Sequence, residues 1–206
     1  MDEKYVITIG RQPGSGGKQI GEKLAKRFGI SCYDKELIQI ASQKSGLGKE
    51  FFEQADEKSR FSIVGGLLGF RSNYLGEGYA SNYLCNEYLF KIQSDVIRGL
   101  AEEQSCIFVG RCADYILREH PKCFNIFVSA DMNDRIRRIS ENQIISPEKA
   151  LEIIERTDKK RAGYYNYYSN KTWGMAASYH LCINSSILGI PGTADCIQAF
   201  IEKDME

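Results

Sequence analysis

The stretch from Tyr5 to Leu24, YVITIGRQPGSGGKQIGEKL, narrows the possible folds more than any other part of this chain. Tyr5 to Ile9 is a short apolar, β-branched run, the composition of a strand buried on both faces. Gly10 to Gly17 holds four glycines with a proline and a serine among them, and helical spacing begins at Gln19. Ile20, Leu24 and Phe28 then recur at the period of an amphipathic helix. Strand, glycine-rich turn and helix in that order aim free backbone N–H groups and the positive helix end at an anion. Glycine serves such a turn because the chain curls through φ > 0 and because a side chain would hold a phosphate off the amides. With Arg11, Ser15 and Lys18 alongside, the stretch reads as a phosphate-binding loop rather than a bare strand-to-helix turn.

The loop departs from the consensus GxxxxGK[ST] in both available registers. If Lys18 is the phosphate lysine, Gln12 stands at the first glycine and Gln19 at the hydroxyl residue that holds magnesium. One residue earlier, Arg11 takes the first glycine position, Gly17 the lysine and Lys18 the hydroxyl. Neither register is complete. The anion cradle stands; the lysine and the magnesium ligand do not follow from the spacing.

Composition sets the surroundings. A chain of 206 residues can build one sizeable core with a small inserted subdomain. Lysine plus arginine equals aspartate plus glutamate, 27 each, so no net field draws in nucleic acid or an anionic membrane, and neither is expected as a partner. The opening MDEKYV carries no apolar signal segment, and no apolar run approaches the roughly 20 residues of a membrane span. A soluble, cytoplasmic protein is expected. Cysteines at 32, 85, 106, 112, 123, 182 and 196 never form CxxC, and several sit in apolar runs, Cys106 in SCIFVG and Cys182 in HLCIN among them. Buried, reduced thiols account for that pattern and agree with a reducing compartment. The two histidines, His120 and His180, lie far apart, so no protein-held metal site is expected. No feature sets an oligomeric state.

Further along, SCY (31–33) reads as a second strand, with Asp34 just past its C-terminal end, where parallel α/β sheets bind ligands. Asp34 equally suits the N-cap of a helix in DKELIQIASQKSG, and one carboxylate can do both. Residues 46–80 are glycine-punctuated: LGKEFFEQADEKS has helical character, and SIVGGLLGFRSNYLGEGYASNY reads as a mobile segment whose Arg60, Arg71, Tyr74 and Tyr79 can reach a substrate. NEYLFKIQSDVIRGLAEE returns to helix, and CIFV (106–109) is a third strand ending in Gly110-Arg111, an arginine placed to face the ligand crevice. Asp114 and Tyr115 open a helix over ADYILREH, and Phe124 to Val128 is strand four. Arg135, Arg137 and Arg138 then share one helix; Ser146-Pro147-Glu148 starts the next, which carries Arg156, Asp158 and Arg161. Such a hairpin is either a solvated charged face or, following a phosphate loop, a lid whose arginines close over transferred phosphates. Tyr164, Tyr165, Tyr167, Tyr168 and Trp173 pack that hairpin more readily than they stack on a base. Tyr179 to Asn184 is strand five, and ILGIPGTADCIQAFIEK the final helix.

Three ordered motifs, ITIGRQPGSGGKQIGEKLAKRFGISCYDKELI, CIFVGRCADYIL and TDKKRAGYYNYYSNKTWG…YHLCINSSILGI, together resemble the cytidylate-kinase-like family of P-loop nucleoside monophosphate kinases through nearly the whole chain. The resemblance implies a three-layer α/β/α P-loop fold with a five-stranded parallel sheet. It makes residues 1–206 a single domain, with an inserted monophosphate-binding region at 35–88 and a helical lid at 135–172. It implies ATP with Mg2+ as phosphate donor and CMP or dCMP as acceptor. Lys18, Arg111, Arg156 and Arg161 would be catalytic. Arg11, Gly14, Ser15, Gly16, Gly17, Lys18 and Gln19 would bind the triphosphate, and Asp34, Arg111 and Asp158 the acceptor. This sequence has Gly17-Lys18-Gln19 where the family carries GKGT, Gly110-Arg111-Cys112 where it carries GRD, and Tyr179-His180-Leu181 in place of YDL. Those departures keep two other functions in view, a kinase of another small phosphate acceptor and a non-catalytic nucleotide-binding sensor or partner-binding module.

Overall fold

The computed structural model describes residues 4–34, 37, 40, 43 and 76–205, with side chains described from residue 87 onward in the long helix that opens the latter range. Two compact units divide the chain: Met1–Asp34 with Leu100–Glu206, and Lys35–Gly99. Within the first lies a five-stranded parallel sheet of order β2-β3-β1-β4-β5. Its strands are β1 (Val6–Arg11), β2 (Ser31–Tyr33), β3 (Cys106–Val109), β4 (Cys123–Ser129) and β5 (Leu181–Asn184). The helices are α1 (Gly17–Phe28), α2 (Gly76–Glu103), α3 (Ala113–Ile116), α4 (Met132–Gln143), α5 (Pro147–Ser169) and α6 (Ser185–Met205). All five expected strands are present, and the α/β architecture agrees with the expectation.

β1 is central, in register with β3 from Val6↔Cys106 and with β4 from Val6↔Cys123. Its alternate residues Ile7 and Ile9 point, with Ile107, Val109, Ile126 and Val128, into one apolar layer with Ile20 and Leu24 of α1 and Ile197 and Ile201 of α6. Each is fully buried, and a buried aliphatic side chain contributes roughly 1.5–3 kcal/mol relative to exposure. On the opposite face Phe108 stacks on Tyr33 with ring centroids 5.6 Å apart, and Phe127 packs edge-on against Trp173 at 5.4 Å. There Tyr165 of α5 donates to the Asp114 carboxylate at 2.7 Å, and burial pushes that carboxyl's pKa up. α4 and α5 pair with each other through Ile139, Ala150 and Ile154. Ser146 caps α5 by accepting from Lys149 N, with Pro147 at the first helical position as the sequence indicates.

Several boundaries differ from the sequence expectation. α1 begins at Gly17, two residues before the apolar spacing starts, because the first turn is spent on the loop. β5 starts at Leu181: Tyr179 turns inward instead, its ring 5.0 Å from that of Phe127. α3 is one turn long and stops at Ile116, ahead of a tight turn into Pro121, where the preceding residue is disfavoured in helix. α2 begins at Gly76, inside a segment read as irregular; its two glycines fall in the first turn of a 28-residue helix, which absorbs a cost of about 1 kcal/mol each. Arg60, Arg71 and Tyr74 lie outside the described residues, and of Tyr79 the backbone alone is described.

Cys182 is exposed rather than buried, because β5 is an edge strand with one flank open. Cys106 and Cys112 are buried as expected. Burial pushes the thiols of Cys106 and Cys123 up to about 12 and that of Cys112 up as well, so none is a thiolate near neutral pH. Alkylation with iodoacetamide at pH 8 is expected to modify Cys196 and Cys182 in the native protein, and Cys106, Cys112 and Cys123 only after denaturation. Peptide mass spectrometry reads this directly, and native labelling of Cys106 would contradict the packing of β3.

Candidate active site

The loop between β1 and α1 is defined by where its carbonyls go. Arg11 O accepts from Arg161 Nη1 at 2.7 Å, Pro13 O from Arg135 Nε at 2.8 Å and Gly14 O from Arg138 Nη1 at 3.1 Å. Gln12 O accepts from the Ser15 hydroxyl at 2.8 Å, Ser15 O from the Ser185 hydroxyl at 2.7 Å, and Gly16 O from Ile20 N at 2.9 Å. Every carbonyl from residue 11 to 16 is thus engaged within the protein. Of the amides, Gln12 N donates to Val128 O and Ser15 N to Gln12 O, and Pro13 has none, so those of Gly14, Gly16 and Gly17 are left over among the described residues. Helix geometry gives the first-turn N–H groups of α1 no intrahelical acceptor, no side chain caps the helix, and its first turn has no acidic residue. A segment with its acceptors turned inward and its donors turned out is an anion cradle.

Local sequence dictates this shape. Gly14 (φ 76) and Gly16 (φ 79) adopt left-handed backbone that other residues enter at a cost of about 1–2 kcal/mol. At Gly14 a Cβ would also lie 2.7 Å from the backbone oxygen of Arg135, so α4 approaches the loop more closely than any side chain permits. Gln12 fastens the loop to β4, its N donating to Val128 O and its side-chain oxygen accepting from Ala130 N. Arg135 and Arg138, three residues apart, share one face of α4, and that face is turned to the loop.

Positive charge gathers at the same sheet edge. Arg11, the last residue of β1, pairs with Asp34 at 2.9 Å. Lys18 Nζ lies 3.8 Å from the other Asp34 oxygen and 3.7 Å from Glu22 one turn along. Arg135 is buried and pairs with Asp158 at 2.6 Å, while Asp158 Oδ1 is buried with no hydrogen-bond partner among the described residues. Arg111 follows Gly110 in a run of three left-handed residues, 110 to 112, with φ of 79, 62 and 55. Holding the two non-glycine members there costs on the order of 1–3 kcal/mol each, a strain of the kind that collects at functional sites. Arg11, Arg111 and Arg161 repel one another, and Asp34 and Asp158 oppose that repulsion. Burial, with those neighbours, lowers the Arg161 guanidinium to about 9. It still carries its charge at neutral pH, so the site keeps a guanidinium cation.

The structure therefore brings together Arg11, Gly14 to Gln19, Asp34, Arg111, Asp158 and Arg161 from the candidate residues. Arg156 stands apart, exposed on α5, where it acts electrostatically on Glu152. Arg135, Arg138 and Ser185 were not singled out individually by sequence as loop supports; the three-residue spacing of the two arginines was the available signal. Arg137 points away and pairs with Asp134. Of the aromatic group, Tyr165 and Trp173 are packing residues as expected, and Tyr167 is half-exposed. Among the described residues no three His, Cys, Asp or Glu side chains gather for a metal, and each oxygen of Asp34 already faces a cation.

A central parallel strand running into a glycine loop, with arginines from a helical hairpin closing on it, defines a P-loop kinase-like α/β protein. The sequence profile of the cytidylate kinase-like family matches residues 6–187, and the chain belongs to that family. Cytidylate kinase of Methanococcus vannielii is 26% identical over 204 residues, spanning 96% of this chain and 99% of that protein. A solved protein from Eubacterium ventriosum superposes with a TM-score of 0.71 at 26% identity, covering 97% of this chain and 99% of the other. Shikimate kinase of Bacteroides thetaiotaomicron shares the fold, with a TM-score of 0.55 at 12% identity over 96% and 98% of the two chains. Membership places the chain among nucleotide kinases in general, with nucleotide small molecules as substrates. Among the described residues no helix is long and apolar enough to cross a membrane.

The Arg135–Asp158 pair gives a stability prediction. Asp158→Ala leaves a buried guanidinium without its carboxylate and is expected to destabilise by about 3 kcal/mol. Arg135→Met combined with Asp158→Ala is expected to lose clearly less than the sum of the single changes. Urea unfolding followed by the fluorescence of the one tryptophan, Trp173, measures both; additive losses would show that the pair is not coupled.

Proposed function

We propose that this protein transfers the γ-phosphoryl group of ATP to a nucleoside monophosphate, CMP or dCMP. The observation that carries the reading is the loop whose carbonyls from 11 to 16 are all engaged internally, leaving the amides of Gly14, Gly16 and Gly17 beside buried guanidinium groups. The amides of Gly14 and of Gly16 to Gln19, with Ser15 shaping the loop between them, hold the triphosphate. Arg161 neutralises charge on the transferred group, as arginines do in phosphoryl transfer. Asp34 and Arg111, beyond β2 and β3, face the acceptor, and Asp158 Oδ1 accepts from a hydroxyl of the bound nucleotide. An acceptor phosphate oxygen bonds to Pγ while the bond from Pγ to the β,γ-bridging oxygen breaks, releasing ADP. The protein's part is alignment and charge neutralisation. ATP enters as its magnesium complex, the ion held by phosphate oxygens and water.

The α4–α5 hairpin is the lid in this reading, and Arg156 joins the site on closure. An ADP-release assay with ATP, magnesium and a panel of nucleoside monophosphates tests the proposal. CMP- or dCMP-dependent turnover is expected, with kcat/KM reduced about 10²-fold or more in Arg161→Ala. Turnover with a different phosphate acceptor would keep the chemistry and change the substrate. ATP binding by calorimetry without turnover on any acceptor would leave a nucleotide-binding module in place of an enzyme.

A further inference from the structure

Resting on that reading, we propose that Arg11 is the loop's phosphate-binding cation, doing from the end of β1 what the consensus lysine does from the start of the helix. The backbone distinguishes the two registers. The last left-handed residue of the loop is Gly16 (φ 79), and Gly17 is already helical, so the terminal consensus glycine falls on Gly16 and the lysine position on Gly17. The first consensus glycine then falls on Arg11. The reason Gly17 has no side chain is steric: a Cβ there would lie 2.6 Å from Arg11 Cβ and 3.0 Å from Arg11 Cγ. Glycine and cation have exchanged places, and the Arg11 side chain fills the volume that a side chain at 17 would enter.

A second glycine fits the same path. A Cβ on Gly110 would overlap Arg11 Nη1, so the end of β3 is bare where the guanidinium crosses it. Asp34 receives Arg11 Nη2 at 2.9 Å, fixing the plane of the fork. Among the described residues Nε and Nη1 have no acceptor, which leaves one donor on each edge of the guanidinium for separate phosphate oxygens. Lys18 is placed differently. Its side chain is half-exposed on the flank of α1, nearest to Glu22 and Asp34.

The test compares single-turnover phosphoryl transfer and ATP affinity by calorimetry in the wild type, Arg11→Met, Lys18→Ala, Arg11→Gly and the double variant Arg11→Gly/Gly17→Lys, which restores the consensus order. Arg11→Met is expected to lower kcat/KM at least 100-fold and to weaken ATP binding, and Lys18→Ala to lower kcat/KM less than tenfold. The double variant is expected to recover at least tenfold over Arg11→Gly. A loss in Lys18→Ala as large as in Arg11→Met would overturn the assignment, as would a folded double variant no better than Arg11→Gly. Should the position-11 variants fail to fold by circular dichroism, Lys18→Ala decides alone: a 100-fold loss overturns the proposal and a loss under tenfold supports it. The kinase reading is checked separately on the wild type, where absence of ATP binding would remove that reading and this assignment together. ATP binding in the wild type that Arg11→Met leaves unchanged would remove this assignment only.

Discussion

The site depends on a division of labour in one short loop: its carbonyls are bound from behind, so its amides are available in front. Arg135, Arg138 and Arg161 supply three of those bonds, to Pro13, Gly14 and Arg11. A peptide unit is planar, so fixing the direction of a C=O fixes that of the N–H across the same bond. The engaged carbonyls of Pro13, Ser15 and Gly16 therefore orient the N–H groups of Gly14, Gly16 and Gly17 without any ligand present. Preorganisation of this kind is what gives electrostatic stabilisation its value, since no dipole has to turn while charge moves.

The same arginines introduce a cost that the fold must carry. Burying guanidinium groups is unfavourable, and among the described residues Asp34 and Asp158 oppose it. Hydrogen bonds to backbone oxygens recover part of that cost, since charge-assisted bonds are about twice as strong as neutral ones. What remains uncompensated favours a polyanion, and a triphosphate supplies more negative charge than any side chain in reach. Binding and local stability are thus linked: a ligand held by the native site alone raises the stability of the unit that contains it.

Much of this was legible in the sequence, for identifiable reasons. Short apolar runs located β1, β3 and β4, because strands buried on both faces have little else to be made of, and the helix stop at Gly29 located β2. Gly14 and Gly16 could be read as backbone requirements, and their φ values agree. Gly17 could not, since its glycine answers to a side chain six positions earlier, and such a clash is invisible until the loop is folded. Arg135 and Arg138 were visible as charges on a helix, but a one-dimensional pattern does not tell a guanidinium that meets phosphate from one that meets the carbonyl behind it. Cys182 misled for a related reason: an apolar run marks a strand without saying whether that strand is central or at the edge.

Arg11 connects the two halves of the site in a way a helix-borne lysine does not. It leaves the central strand, crosses the bare end of β3 at Gly110 and reaches Asp34 past β2, so one side chain spans three strand ends. Asp34 and Arg111, proposed for the acceptor, lie at the far end of that span, and the amides proposed for the donor lie at the near end. A lysine on a flexible four-carbon stem offers one point charge, whereas an arginine fixed by a carboxylate offers a plane with a defined direction. The proposed exchange of glycine and cation would therefore tie the proposed donor cradle to Asp34 through a single rigid group. It also explains why two departures from the consensus occur together in this loop, since an arginine at 11 leaves no room for a side chain at 17.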